Sequence, residues 1–299
     1  MQSQPVRRTA FWRDHTPLCL VALAGLCAGI LLSGCSGQGS ASPDIPTIPP
    51  ARTYKLSGLE PAGKVAAGQP TTLAFTITQP DGTPLVDYRR GPGPHTGVHV
   101  ILVRDDLSTI IHRHPPVAPS GRVTDTITFP EPGKYRLVID AYPNTTGLQR
   151  NYQLFGTIEV AGAAHKKPLL PFSPTVNVDG YRFHVQGSPK LKAIQAAFLK
   201  LTVTDPQGHP AQFEPWYGAL AHAIFFRSGS LDYFHTHVCA PGATGCGSVL
   251  GGASVSGSSA TPGKMRVGVL LPVSGTWRLF LQCRVNGRIL TAPFTLDVK

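Results

Sequence analysis

Leu73-Ala-Phe-Thr-Ile-Thr-Gln-Pro-Asp-Gly-Thr-Pro84 reads as a strand with apolar residues at alternate positions, closed by a Pro-x-Gly-x-Pro turn. Leu199-Lys-Leu-Thr-Val-Thr-Asp-Pro-Gln-Gly-His-Pro210 repeats that pattern at the same spacing. Working outward, Tyr54-Lys-Leu56 finds Tyr181-Arg-Phe183 upstream. Downstream, Phe129-Pro-Glu-Pro-Gly-Lys-Tyr-Arg-Leu137 finds Leu271-Pro-Val-Ser-Gly-Thr-Trp-Arg-Leu279, and Thr157-Ile-Glu-Val160 finds Thr295-Leu-Asp-Val298. Two copies of one domain follow, each with about seven short strands between Gly/Pro turns, the pattern of an antiparallel sandwich. The expected fold is all-β: two tandem antiparallel β-sandwich domains of immunoglobulin-like or cupredoxin-like type. The reading places them at 54–160 and 175–299, with a linker at 161–174 carrying Lys166-Lys167, Pro168, Pro171 and Pro174. Lys190 to Lys200 could read as a helical turn, but its alignment with the first copy favours a strand.

Composition agrees. The 299 residues include 32 Gly and 29 Pro with only 14% charged, which argues against a helix bundle or an acidic disordered chain. Residues 1–34 read as an export signal, with Arg7, Arg8 and Arg13 ahead of the uncharged apolar run Pro17 to Leu32. Leu32-Ser-Gly-Cys35 resembles the lipobox of bacterial lipoproteins, which implies cleavage before Cys35 and lipidation of its thiol. Each buried methylene of an acyl chain contributes about 0.8 kcal/mol, so several chains hold a protein on a bilayer. Residues 35–53, rich in Ser, Gly and Pro, read as a tether. The expected location is therefore extracytoplasmic, with the lipid anchor making the membrane one partner. Without Arg7, Arg8, Arg13 and Asp14, the 27 basic and 16 acidic residues become 24 and 15. These basic residues are scattered and carry no nucleic-acid reading motif, so no nucleic-acid partner is expected.

Chemistry concentrates in histidines. Val98 to His114 carries His99, His112 and His114, and Ala221 to His237 carries His222, His235 and His237, both as His-x12-His-x-His. Tight turns at Asp105-Asp106 and Ser228-Gly229 would set His99 opposite His112 and His222 opposite His235. The third histidine of each set lies two residues along the same strand and so on the same face. Three imidazoles roughly 5 to 7 Å apart can close around one ion, which predicts one three-histidine site per copy. Imidazole suits copper, with zinc as the alternative. A blue-copper centre is excluded because the first domain has no Cys after Cys35 and no Met lies near either triad. His95 in Gly93-Pro-His-Thr-Gly97 offers a fourth ligand in the first copy or, as the preferred reading, is a solvated loop residue. The competing reading makes the histidines structural, in a metal-free immunoglobulin-like interaction or scaffold domain.

The second copy contains a Gly/Ser-rich insertion at 239–263. In an oxidising compartment Cys239 pairs with Cys246 across this loop or with Cys283 in the following strand; Cys239 as a thiolate ligand is a further alternative. Catalysis has no support: there is no Gly-x-Ser-x-Gly elbow after the signal and no His-Glu-x-x-His helix. Asp105 and Asp106 read as turn formers rather than an acid–base pair.

The paired His-x-His hairpins, Pro215-Trp-Tyr-Gly-Ala-Leu-Ala-His222, Phe129-Pro-Glu-Pro-Gly-Lys-Tyr-Arg136 and Thr291-Ala-Pro-Phe-Thr-Leu-Asp-Val298 together resemble secreted bacterial proteins of the YtkA-like and FixH-like group. That resemblance implies copper handling or respiratory-enzyme assembly at the membrane, with a metal-acceptor or membrane protein as partner. The family's His-x-His is usually followed by Pro, as His114-Pro115 is; His237 is followed by Val238.

Overall fold

The period-2 runs become strands. A computed structural model describes residues 53–90, 96–144, 151–239 and 261–299, which lie in one compact unit. The signal and tether with Cys35, the loop with His95, and the insertion with Cys246 fall outside the described residues. Among the described residues every regular element is a strand, and no helix is long and apolar enough to cross a membrane.

The first copy contributes β1 (Lys55–Glu60), β2 (Val65–Ala66), β3 (Pro70–Thr78), β4 (Gly97–Arg104), β5 (Ile110–Arg113), β6 (Arg122–Thr128), β7 (Gly133–Tyr142) and β8 (Tyr152–Ala161). The second contributes β9 (Thr175–Val178), β10 (Tyr181–Val185), β11 (Ala197–Thr204), β12 (Ala219–Arg227), β13 (Tyr233–Cys239), β14 (Lys264–Val269), β15 (Gly275–Val285) and β16 (Arg288–Val298). Four sheets result, ordered β1-β3-β6, β2-β8-β7-β4-β5, β14-β11-β10-β9 and β13-β12-β15-β16. Every strand pair is antiparallel except β2 with β8.

The repeat is visible in the packing. Leu73, Phe75 and Ile77 of β3 enter the first core as Leu199, Leu201 and Val203 of β11 enter the second. Both Pro-x-Gly-x-Pro turns close with a bridge, Thr78 to Pro84 and Thr204 to Pro210. Tyr135 donates its hydroxyl to Glu131 O at 3.0 Å, and Trp277 donates Nε1 to Val273 O at 3.1 Å. The stretch 190–200 is a strand only from Ala197, because Ile194 takes a left-handed φ of 60° that breaks the extended run.

A third apolar cluster joins the two sandwiches. Alternation along β4 sends Val98, Val100 and Leu102 into the first core and turns His99, Ile101 and Val103 the other way. In β12, Ala221, Ala223 and Phe225 face the second core while Ile224 and Phe226 face outward. Ile101, Val103, Leu107 and Val138 pack there against Ile224, Phe226 and Phe280, all buried. Each such side chain contributes roughly 1.5–3 kcal/mol on full burial, so this layer fastens the sandwiches face to face.

The linker is pinned to the same side. Arg104, 1% exposed, pairs with Asp106 and donates to Pro132 O at 2.8 Å and to His165 O at 3.1 Å. Lys167 N donates to Asp106 at 2.9 Å. Asp106 also accepts from Ser108 N and Oγ, at 3.1 and 2.7 Å, as a turn-forming aspartate does.

Candidate metal centre

The hairpin turns are longer than two residues. Arg104 N bonds Thr109 O and Arg227 N bonds Asp232 O, with Leu107 and Leu231 at φ 60° and 59° inside four-residue turns. The ladders shift accordingly: Ile101 faces His112, and His222 faces His237 rather than His235. Both shifts are by two residues, so the face assignments survive while the opposed pairs change.

The expected second-copy triad, His222, His235 and His237, is one of the groups the structure brings together, but the six histidines are not segregated by copy. They occupy the facing surfaces of the two sandwiches, beside the Ile101–Phe226 layer, and converge into one cluster. His112, His114 and His222 offer ligand nitrogens within 4.8 Å of one another, as do His99, His112 and His235, and also His222, His235 and His237. Two of these three groups draw on both copies. His112 Nε2 lies 3.0 Å from His114 Nε2, and His222 Nδ1 lies 3.4 Å from His235 Nε2. Four nitrogens at about 2.0–2.1 Å from a tetrahedral ion stand about 3.3 Å apart, so both contacts have the spacing of co-ligands.

The outer ring atoms are oriented by oxygen. His112 Nδ1 donates to Gln282 Oε1 at 3.1 Å, and His222 Nε2 donates to the Trp216 carbonyl at 3.0 Å, leaving His112 Nε2 and His222 Nδ1 as lone-pair donors toward the cluster. His235 Nδ1 stands 3.7 Å from Asp140 Oδ2. Asp140 accepts from Tyr142 Oη at 3.2 Å, Tyr233 Oη at 3.2 Å, Asn151 Nδ2 at 3.2 Å and Gln153 Nε2 at 3.0 Å. Burial pushes its carboxyl up, but the His235 and His99 imidazoles and the Gln153 amide outweigh that and hold it at about 2. Burial followed by the Asp140 charge pushes both tyrosine hydroxyls well above their usual range, so they stay donors.

The same forces keep imidazoles neutral. His112 is held well below the ordinary histidine range by burial, then by His222, His235 and His99, against the opposing Gln282 bond. His114 is lowered by burial, then by His99 and His112. Neutral imidazole is the form that binds metal. One wall is aromatic: Tyr217, with a left-handed φ of 48°, stacks on His114 at 3.8 Å and 5°, and Trp216 stacks on Tyr217 at 4.5 Å. His114 is the one half-buried member of the six; the others are buried.

Sequence reasoning missed Asp140, Gln282, Trp216 and Tyr217 as parts of this centre. The available signal was positional, because Asp140 pairs with His99 in β7–β4 as Gln282 pairs with His222 in β15–β12. Cys239 is disulfide-bonded and Cys283 is a free, buried thiol, so both a Cys239–Cys283 bridge and a Cys239 thiolate ligand are excluded. Cys283 faces the second apolar core, and burial pushes its thiol up to about 12.

Among solved structures, a tetra-tandem repeat from the extending region of a large adhesion protein is 14% identical, covering 83% of this chain and 48% of that one, with a TM-score of 0.23. This chain thus spans about half that protein's length. Invasin, a bacterial integrin-binding protein, is 14% identical over 82% of this chain and 38% of its own, with a TM-score of 0.21. Fibronectin(III)-like modules of Clostridium thermocellum CbhA are 10% identical over 82% and 93%, with a TM-score of 0.20. No curated protein matches the chain. A family described as a domain of unknown function, DUF8832, matches residues 53–155 and 176–299, most of the chain beyond its first fifty residues, and the chain belongs to that family.

Proposed function

We propose that the protein is a lipid-anchored, extracytoplasmic metal-binding protein that holds copper, or alternatively zinc, in the histidine cluster between its two sandwiches and passes it to an acceptor protein at the membrane. The observation that carries this reading is the pair of nitrogen contacts at 3.0 and 3.4 Å, backed by oxygen partners that leave lone pairs pointing inward. Six crowded imidazoles in a buried site would repel one another when protonated, and a shared cation removes that cost. The ligand set is nitrogen only, as suits copper and zinc. Binding rather than catalysis is favoured because Asp140, the carboxylate at the cluster, already accepts from four donors and is not available as a base. The resemblance of the two hairpins to the YtkA-like and FixH-like group, and Cys35 in its lipobox-like setting, support copper handling at a membrane surface.

The test is copper and zinc titration of the full chain in detergent beside a His112→Ala/His235→Ala variant. Tight binding by the parent and its loss in the folded variant are expected. No binding by either protein would make the histidines a structural layer and the protein a scaffold.

A further inference from the structure

Resting on the lipid-anchor part of that reading, we propose that the outer face of the sheet β14-β11-β10-β9 is a docking surface that lies on anionic lipid headgroups. Alternation sends Phe183, Leu199, Leu201, Val203, Met265 and Val267 into the second core. The opposite face of the same strands carries Arg182, Lys200, Lys264 and Arg266, each of them exposed. Lys200 stands directly opposite Arg266, and Lys264 is the next outward residue of β14, opposite Thr202. Like charges opposed in this way are destabilising, so folding alone does not select them. The Arg266 guanidinium lies 3.6 Å over the Phe198 ring on the same face, a contact that leaves its charge in place. These charges are also uncompensated. Residues 175–299 include 11 basic and 5 acidic residues. The five carboxylates are engaged elsewhere: Asp179 with Arg288, Glu214 with Arg284, Asp232 with Arg227, Asp205 with His209, and Asp297 with the Thr276 hydroxyl. Among the described residues no carboxylate pairs with any of the four cations.

The first copy supplies an internal control. Residues 54–160 include 10 basic and 9 acidic residues, close to balance. Where the second copy opposes Lys200 and Arg266, the first opposes Ala74 and Thr124; where Thr202 faces Lys264, Thr76 faces Arg122. Arg122 is neutralised by Glu60 at 2.8 Å. One fold thus carries a near-neutral face in one copy and a cationic face in the other, a difference that the strand framework does not require. A bilayer is the occupant that fits. The cations spread over three neighbouring strands about 4.8 Å apart, so that they meet a charged surface together. Each Lys or Arg held near an anionic bilayer strengthens binding about fivefold. A tether over residues 35–53 reaches up to about 60 Å when extended, so an anchor at Cys35 leaves open which face meets the bilayer, and charge decides it. Docking this sheet sets β13-β12-β15-β16 about 10 Å farther out, with the histidine cluster on its far side.

The test is co-flotation of the full chain carrying Cys35→Ala, which prevents acylation, with two kinds of vesicle. One is phosphatidylglycerol and phosphatidylcholine in equal parts, the other phosphatidylcholine alone. This protein should prefer the anionic vesicles and lose the preference as salt rises. Adding Lys200→Gln/Arg266→Gln should weaken anionic binding about 25-fold and leave binding to the neutral vesicles unchanged. Adding Lys190→Gln/Lys192→Gln instead removes the same charge from exposed positions outside the sheet, and should change binding by less than about twofold. The signal segment is common to the three proteins and cancels. Equal losses in the two double variants, or no loss in the first, would overturn the docking face. Displacement from the anionic vesicles by polyglutamate or duplex DNA at equal charge would overturn the lipid assignment in favour of an acidic polymer. Mass spectrometry of Cys35 in the parent chain reads the anchor separately: an unacylated Cys35 would overturn that reading and leave the vesicle comparison standing.

Discussion

His112 Nδ1 donates to Gln282 Oε1 at 3.1 Å, joining the two sandwiches through a ring whose other nitrogen faces the cluster. Gln282 is fixed in turn by donating Nε2 to Thr291 Oγ1 at 3.0 Å. Replacing Gln282 with Leu leaves the His112 N–H buried without its acceptor, at a cost of roughly 1–3 kcal/mol. Metal affinity is expected to fall roughly 10- to 100-fold through loss of ring orientation. Urea unfolding of the metal-free protein and metal titration check the two effects separately.

Acid should weaken the metal-free protein earlier than its carboxylates would suggest. His112 and His114 are held below their unfolded values, so the unfolded chain binds more protons as pH falls through about 6.5 and stability drops. With both rings neutral in the fold, the slope reaches about 2.7 kcal/mol per pH unit. Asp140, held at about 2, contributes stability that is complete above its unfolded value near 4 and is lost only between 4 and 2. Urea unfolding from pH 8 to pH 4 should show the histidine loss; a flat or rising profile would refute it.

The layer between the sandwiches should control stability and metal affinity together. Phe226 is fully buried against Ile101, Val103, Leu107 and Val138 of the other copy. Phe226→Ala is expected to cost about 3–5 kcal/mol in thermal or urea unfolding. It should also weaken metal binding, because it loosens the docking that brings His222 to His112. Unchanged affinity in the folded variant would separate the cluster from the layer.

A pair of equivalent glycines offers an internal comparison. A Cβ on Gly133, at φ 132°, would stand 2.9 Å from Arg104 Nε, and one on Gly275, at φ 124°, 2.9 Å from Arg227 Nε. Both alanine variants carry backbone strain of about 1–3 kcal/mol. Gly133→Ala should be the more damaging in thermal unfolding, because the Arg104 side chain is 1% exposed and tied to Asp106 and the linker, whereas that of Arg227 is 33% exposed.

Much of this was legible in the residues, and the reasons for the rest are physical. Alternation along Val98–Val103 put His99 with Ile101 and Val103, and it did so despite the wrong turn, because a two-residue register error preserves the face. The turns were misjudged because Asp106 caps a four-residue loop and Leu107 adopts a left-handed backbone, which its side chain does not advertise. The convergence of both triads was hidden because alternation reports which face a residue takes, not what that face meets. One sign was present. The strands Val98–Val103 and Ala221–Phe226 are apolar on both faces, whereas a sandwich sheet with one solvated face alternates with polar residues. Asp140 stood in the apolar run Leu137 to Tyr142 as a lone carboxylate, and its meaning comes only with Tyr233 and His235 of the other copy.

The most direct test of the shared centre is anomalous X-ray diffraction from crystals of the copper- or zinc-loaded protein. The account predicts anomalous density about 2.0–2.1 Å from imidazole nitrogens of both copies, His222 together with His112 and His114. Loaded crystals without density in the cluster, or with each ion held by histidines of one copy alone, would contradict it.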